Sequence, residues 1–395
     1  MNTPLEPVRS LYAHVPFCAH KCLYCAFYSE IPGRGDMDRY VQALLGEMGS
    51  IAGRTKPDTI FFGGGTPSLL SVEQWKTLFA RMERMGLSGA AEFTVECNPA
   101  TIDREKADVF RSHGVNRISM GLQSFDDKIL QRLGRVHSRD QAVASFKVLR
   151  AAGFDNINVD LMFAIPGQTL AQWRATLLEA IDLGSEHLSS YEITYEEDTP
   201  LFEQLQAGRI DVDEDLACEM YDTLVEEAGK AGVYRYEISN FARDNGGNAI
   251  PSMACRHNVN YWRGGAYYGV GPSATSYVDG CRWTDYSDTG RYCDMIEQGR
   301  SPIESEETLS PLRRAGEIAA FGLRMSIGWP FDQFQKITGF DLRKEWSKEI
   351  ESLTARGLGC FDATGFRLTP KGLRFADSAA EAFIRLPESG VWAED

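Results

Sequence analysis

Long apolar runs are missing from this chain. No segment stays apolar long enough to span a bilayer, and the opening Met1-Asn2-Thr3-Pro4-Leu5-Glu6-Pro7 holds neither a basic stretch nor the apolar core of an export signal. The expectation is a folded protein of the cytoplasm. Positive charge is also short: 41 Lys and Arg stand against 56 Asp and Glu, for a formal charge of −15. That balance works against binding a polyanion, so nucleic acid is set aside despite patches such as Arg313-Arg314. A disulfide framework is absent too, because the nine cysteines are odd in number and mostly scattered. Cys97, Cys218, Cys255, Cys281, Cys293 and Cys360 read as ordinary thiols.

The remaining cysteine is concentrated in Cys18-Ala19-His20-Lys21-Cys22-Leu23-Tyr24-Cys25, directly after the apolar run Leu11–Val15. Three closely spaced thiolates suit a soft-metal site. An iron–sulfur cube normally takes four, and the place for a nearby fourth is Phe27, so one iron would be left open to another ligand. On spacing alone, a structural zinc site completed by His14 or His20 is the alternative.

At 395 residues and 43% hydrophobic content the chain can bury a large core, with one large domain and a smaller one. From residue 11 to about 195, short β-rich runs alternate with amphipathic helical stretches, the pattern of a parallel sheet or barrel with outer helices. The predicted strands are Leu11–Val15, Thr59–Phe62, Glu92–Glu96, Arg117–Met120, Asn156–Leu161 and His187–Ile193, with helices near 38–52, 71–84, 103–112, 138–152 and 169–183. Ser71 and Gln74 have capping-box spacing at the second helix.

In such barrels chemistry sits at the carboxyl edge of the strands. Here the first strand delivers the cysteine loop, the second Gly63-Gly64-Gly65-Thr66-Pro67, the third Glu96-Cys97-Asn98-Pro99 and the fourth Gly121-Leu122-Gln123-Ser124, while the fifth carries Asp160. Each alone has an ordinary structural reading as a turn, a strand terminator or a buried carboxylate. Together they describe a polar rim. The triple glycine would let backbone approach a ligand and leave amides free, Glu96 and Asp160 can accept from ammonium or ribose hydroxyls, and Gln123 and Arg135 add neutral and cationic contacts. Arg135 and Asp160 could equally form an ion pair across the rim.

This combination of motifs resembles the radical S-adenosylmethionine proteins, in particular those like oxygen-independent coproporphyrinogen III oxidase, over about residues 9–385. The resemblance implies a partial TIM-like (β/α)6 α/β barrel. It makes Cys18, Cys22 and Cys25 the ligands of a [4Fe-4S] cluster whose open iron takes S-adenosylmethionine, and zinc recedes. It also implies contacts to S-adenosylmethionine from Tyr12, Tyr24, Gly64, Gly65, Thr66, Glu96, Gln123, Arg135 and Asp160, some of which touch a second such molecule in the oxidase. One electron would cleave the sulfonium to methionine and a 5′-deoxyadenosyl radical, with a flavodoxin or ferredoxin as electron donor.

After residue 195 the repeat stops. Thr199–Gly208 and Asp213–Ala231 read as helices, the second favoured by Asp211, Asp213, Glu214 and Asp215 near its start, and Tyr234–Ile238 as a strand. From about residue 300 come helices Leu309–Ile327, Phe331–Thr338 and Leu342–Arg356, a strand pair Gly359–Phe361 and Phe366–Leu368, and a last helix Leu373–Phe383, a winged-helix-like set. The expected division is a barrel core at 1–200, an extension at 201–300 and a C-terminal helical domain at 301–395.

Three functions compete within the family: porphyrinogen oxidation, heme delivery by a branch that shares the fold and the cluster motif, and the chemistry of a radical methylase or heme-degrading relative, which shares the core motifs. The oxidases are expected to carry a further cysteine where this chain has Phe27. The chaperone branch carries an H-N-x-x-Y-W motif, present here as His257, Asn258, Tyr261 and Trp262. Both features favour heme delivery, with heme-acceptor proteins, membrane proteins included, as partners. In that reading His257 offers an axial imidazole, Asn258 a polar anchor, and Tyr261 and Trp262 flat surface for the macrocycle.

Overall fold

A computed structural model describes residues 6–385. Met1–Leu5 of the opening segment and 386–395 of the C-terminal region lie outside the described residues.

Residue parity decides the central architecture. In β1 (Val8–Val15), Leu11, Ala13 and Val15 are fully buried and alternate with Ser10, Tyr12 and His14. The same alternation runs through β2 (Thr55–Gly64), β3 (Glu92–Cys97), β4 (Arg117–Gln123), β5 (Ile157–Phe163) and β6 (His187–Glu192), where Ile60, Val95, Ile118, Val159 and Leu188 take the apolar side. That face joins one large core with the outer helices, and the other face carries the polar residues. The six strands pair in parallel and in chain order.

Between them lie α1 (Asp36–Ile51), α2 (Val72–Arg84), α3 (Arg104–Ser112), α4 (Asp127–Arg132), α5 (Arg139–Ala151) and α6 (Leu170–Asp182). Ser71 and Gln74 form the expected capping box on α2. Beyond the repeat are α7 (Pro200–Gln206) and α8 (Glu214–Lys230), the latter capped by Asp213. The single strand expected at Tyr234–Ile238 is instead a hairpin, β7 (Val233–Arg235) and β8 (Asn240–Arg243), because the Glu237 carboxylate accepts from the Ser239 amide and turns the chain. This hairpin joins β6 antiparallel, and β9 (Tyr268–Val270) pairs with β1 at the opposite edge, so the sheet has nine strands and the barrel is partial. α9 (Arg256–Trp262) carries the H-N-x-x-Y-W residues.

The C-terminal residues build a separate apolar cluster that includes Trp329, Phe334, Trp346, Phe366 and Phe383. Its first helix, α10 (Pro311–Gly322), is shorter than expected. The helix expected over 342–356 breaks at the buried Trp346, whose indole donates to the Phe383 carbonyl at 2.9 Å, and the last one breaks at Phe375. The expected hairpin gains a third strand, Trp329–Pro330, consistent with a winged-helix-like form. No helix among the described residues is long and apolar enough to cross a membrane.

Candidate functional site

The cysteine loop leaves the end of β1 and is fastened where it starts and stops. The Cys18 amide donates to the Glu30 carbonyl at 2.9 Å and the Glu30 amide to the Pro16 carbonyl at 2.7 Å. Its middle is held as well: the Leu23 amide donates to the Leu133 carbonyl at 3.1 Å, and the Leu23 carbonyl accepts from the Leu201 amide at 3.0 Å. Gly134 is required beside it, since its φ is +72° and a Cβ there would come within 2.9 Å of the Leu23 side chain. Cys18, Cys22 and Cys25 are thus presented half-buried on a loop whose backbone bonds are spent elsewhere.

Two polar groups lie against the thiols. Arg135 points its guanidinium toward the Cys22 sulfur at 3.6 Å while donating to the Gly121 carbonyl at 2.6 Å, and the Thr66 hydroxyl is 3.6 Å from the Cys18 sulfur. The Arg135 Nε is buried with no partner. Tyr24 packs against the apolar cluster of Ile129, Leu133, Met162, Ile165, Ile193 and Leu201. The ion pair considered between Arg135 and Asp160 does not form. Asp160 accepts instead from Asn158 at 2.7 Å and Ser119 at 3.2 Å, inside the barrel.

The amides of the triple-glycine segment are not free, contrary to expectation. Gly65 donates to the Val15 carbonyl and Thr66 to the Phe17 carbonyl, both at 2.7 Å, and Gly64 donates to the Glu96 carboxylate. The glycines serve close packing of the chain on itself: a Cβ at Gly64, where φ is +103°, would meet the His14 ring at 2.6 Å, and one at Gly65 the Phe17 carbonyl at the same distance. Burial first, then the neighbouring Asp160, pushes the Glu96 carboxyl up to about 8, against the Gly64 amide and Arg117. An ammonium group or hydroxyls placed there would relieve this crowding of acids. Three thiols on one braced loop, a guanidinium 3.6 Å from the Cys22 sulfur, and a crowded pair of buried acids form a donor set that fits an iron–sulfur cluster with a cationic polar ligand beside it.

The H-N-x-x-Y-W residues lie toward the start of the strands, with the His257 ring 5.3 Å from that of Phe61 and 6.4 Å from that of Tyr12. Thr59 of β2 pairs in register with Glu92 of β3, near the start of the strands. Glu92 accepts from the Arg256 amide at 2.8 Å and the His257 amide at 2.9 Å, supplying the cap that Cys255 does not. His257 is 1% exposed, with Nδ1 2.9 Å from the Thr59 hydroxyl and Nε2 2.8 Å from the Tyr261 hydroxyl. Burial, and secondly the positive Arg117, lowers its pKa to about 3. Both imidazole nitrogens are engaged by protein hydroxyls, so His257 would have to give up one of these bonds to meet heme iron. Trp262 faces the other way, under the Arg324 guanidinium at 5.1 Å and near Phe321 of α10. Arg263 donates to the Gly328 carbonyl at 2.7 Å, so this helix joins the barrel to the C-terminal unit. Asn258 is half-buried on the same helix. The supporting Thr59, Glu92 and Arg117 were not singled out in the sequence, where nothing connects them to a motif so far along the chain.

Phe27 is 73% exposed on the cysteine loop. Comparison with known proteins places this geometry in a family. Residues 12–180 match the Radical SAM superfamily and residues 309–375 the HemN C-terminal domain. The heme chaperone HemW of Bacillus subtilis (strain 168) is 34% identical over 95% of this chain and 99% of its own length. HemW of Lactococcus lactis is 31% identical over 96% of this chain and 98% of its own. HemW of Escherichia coli (strain K12) is 38% identical over 69% of this chain and 71% of its own. Among solved structures, coproporphyrinogen III oxidase (HemN) from Escherichia coli shares the fold with a TM-score of 0.82 at 20% identity, over 96% of this chain and 90% of that one. The chain belongs to the HemW family of radical SAM proteins.

Proposed function

We propose that this protein is a heme chaperone that binds a [4Fe-4S] cluster and S-adenosylmethionine at the barrel rim and passes heme to acceptor proteins. The observation that carries the proposal is the full-length likeness to HemW, 34% identity over 95% of this chain. The exposed Phe27 supports it against porphyrinogen oxidation, for which a further cysteine is expected at that place. Cys18, Cys22 and Cys25 would hold the cluster, which when bound supplies a low-potential electron to the sulfonium of S-adenosylmethionine. Arg135 would stabilise the anionic sulfur of Cys22. Glu96 and Asp160 would take ammonium or ribose hydroxyls, with Tyr12, Tyr24, Gly64, Gly65, Thr66 and Gln123 lining the ligand. His257, Asn258, Tyr261 and Trp262 are the candidates of their motif for contact with heme, His257 only by releasing Thr59 or Tyr261. The setting is the cytoplasm, with a flavodoxin- or ferredoxin-type reductant and acceptors that include membrane proteins.

The test is anaerobic. After cluster reconstitution, hemin titration should give a saturable Soret change, and the heme should pass to a heme-free acceptor. The triple Cys→Ala variant should lose its iron and its charge-transfer absorption. Coproporphyrinogen III, supplied with S-adenosylmethionine and a reductant, should remain unconverted by mass spectrometry. Repeated turnovers to protoporphyrinogen IX would return the protein to the oxidases.

A further inference from the structure

A cavity of about 190 Å3 opens between the turn after β5, the end of β6 and the start of α8. None of the residues assigned above to the cluster, S-adenosylmethionine or heme lines it. Its wall mixes the apolar Ile165, Ile193 and Leu216 with polar side chains, and Val212 stands 49% exposed.

Two independent features mark it as more than a packing gap. The first is Gln168, 3% exposed in the cavity lining. Its backbone amide closes the turn onto the Ile165 carbonyl at 2.8 Å, and its Oε1 accepts from the Ile165 amide at 3.3 Å. That fixes the side chain and leaves Nε2 buried without a partner. An unmade donor in such a place costs about 1–3 kcal/mol and is met when a ligand brings an acceptor. The second is the charge. Glu192, Asp211 and Asp213 line the same cavity, and the ion pairs of α8, Arg174–Glu227 and Lys230 with Glu226 and Glu227, belong to its far end. One Asp213 oxygen is spent in capping α8 at the Leu216 amide. Burial, followed by the nearby Glu214, pushes the Glu192 carboxyl up, and the cation on the turn itself, Arg132, is engaged with the Pro166 carbonyl.

We infer that this cavity binds a lysine- or arginine-bearing peptide segment, with an apolar side chain in the pocket, a backbone carbonyl on Gln168 Nε2, and the cation against Glu192 and Asp211. A peptide supplies these three groups from neighbouring residues, which fits one small pocket with an acidic border. The inference stands apart from heme delivery, and its test contains no heme.

The experiment uses the full chain and a fluorescein-labelled, amide-capped peptide of sequence Ala-Leu-Lys-Leu-Arg-Ala, read by polarisation at low and high salt. The same peptide with Glu at both charged places is the control, and lysine methyl ester is the competitor. The basic peptide should bind saturably and more weakly in salt, and the acidic peptide should not bind. Gln168→Leu and the exposed Asp211→Lys should each weaken binding by about tenfold or more, the latter also flattening the salt dependence. The inference falls if the basic peptide does not saturate, if the acidic one binds equally, or if both variants keep full affinity. Lysine methyl ester competing as strongly as unlabelled peptide would replace the peptide with a small amine and equally overturn it.

Discussion

The two ends of the barrel are both polar, and they differ in what is left over. At the base, Glu92 uses both oxygens on the start of α9, His257 uses both ring nitrogens, and His187 bridges Asn158 at 2.6 Å and Tyr236 at 2.8 Å. At the rim, the Arg135 Nε has no partner, the thiols have only long contacts, and the Glu96 carboxyl is held up by burial and then by a neighbouring acid. Buried polar groups satisfied by the protein build the fold, and groups left short of partners can be completed by a ligand, but a leftover alone does not mark a site, since Arg117 Nε at the base is as unpartnered as Arg135 Nε at the rim. A motif of histidine and aromatics can therefore belong to the first class, however much its composition suggests the second.

The strongest way to break this contrast is at the base. Glu92→Ala should strip α9 of its cap and remove one of the carboxylates near the buried Arg117, which keeps Asp160, costing about 1–3 kcal/mol in urea unfolding. Pairing Glu92→Gln with Arg117→Met should restore much of the loss. A Glu92→Ala protein as stable as the parent would show that the base does not hold the fold.

At the rim the expected effect is on ligand retention. Arg135→Leu should change unfolding little but weaken the hold on iron roughly 10–100-fold in a chelator challenge after anaerobic reconstitution. Equal iron retention with a large loss of stability would invert the assignment and make Arg135 a structural residue.

The smallest effect sharpens the reading of His257. Its pKa lies at about 3 in the folded chain against an ordinary 6.5, so the unfolded chain takes up the proton more readily. The contribution is full above pH 6.5 and is lost as pH falls toward 3, by at most about 1.4 kcal/mol per pH unit. His257→Gln should therefore cost about 1 kcal/mol at neutral pH, a difference that vanishes within about one pH unit below 6.5 and reverses on further acidification, with the Soret position of added heme unchanged. A displaced Soret band with no stability loss would return the imidazole to the iron.

The barrel was legible because its signal is local: each strand's alternation is written in consecutive residues, and the turns and caps between strands sit beside them. The cysteine loop was legible for the same reason. What escaped was set by partners distant in sequence. Nothing near Gly65 and Thr66 tells that their amides are taken by Val15 and Phe17. Nothing near His257 tells that Thr59 closes one nitrogen and Glu92 holds the helix beneath it. The helix break at Trp346 likewise depends on the Phe383 carbonyl. Tyr234–Ile238 was misread at short range, since the turn made by Glu237 and Ser239 interrupts a run that is otherwise strand-like.

The bonds joining Cys18 to Glu30, and Leu23 to Leu133 and Leu201, settle when the ordering of the metal loop is charged to the fold. In small zinc domains the ion must organise the chain around itself, and its affinity is diminished by that work. Here loop closure is completed by carbonyls and amides that do not depend on iron. Cluster insertion thus becomes docking into a finished cradle, and oxygen can destroy the inorganic core without unravelling its mounting, so one polypeptide can be recharged through successive rounds of damage.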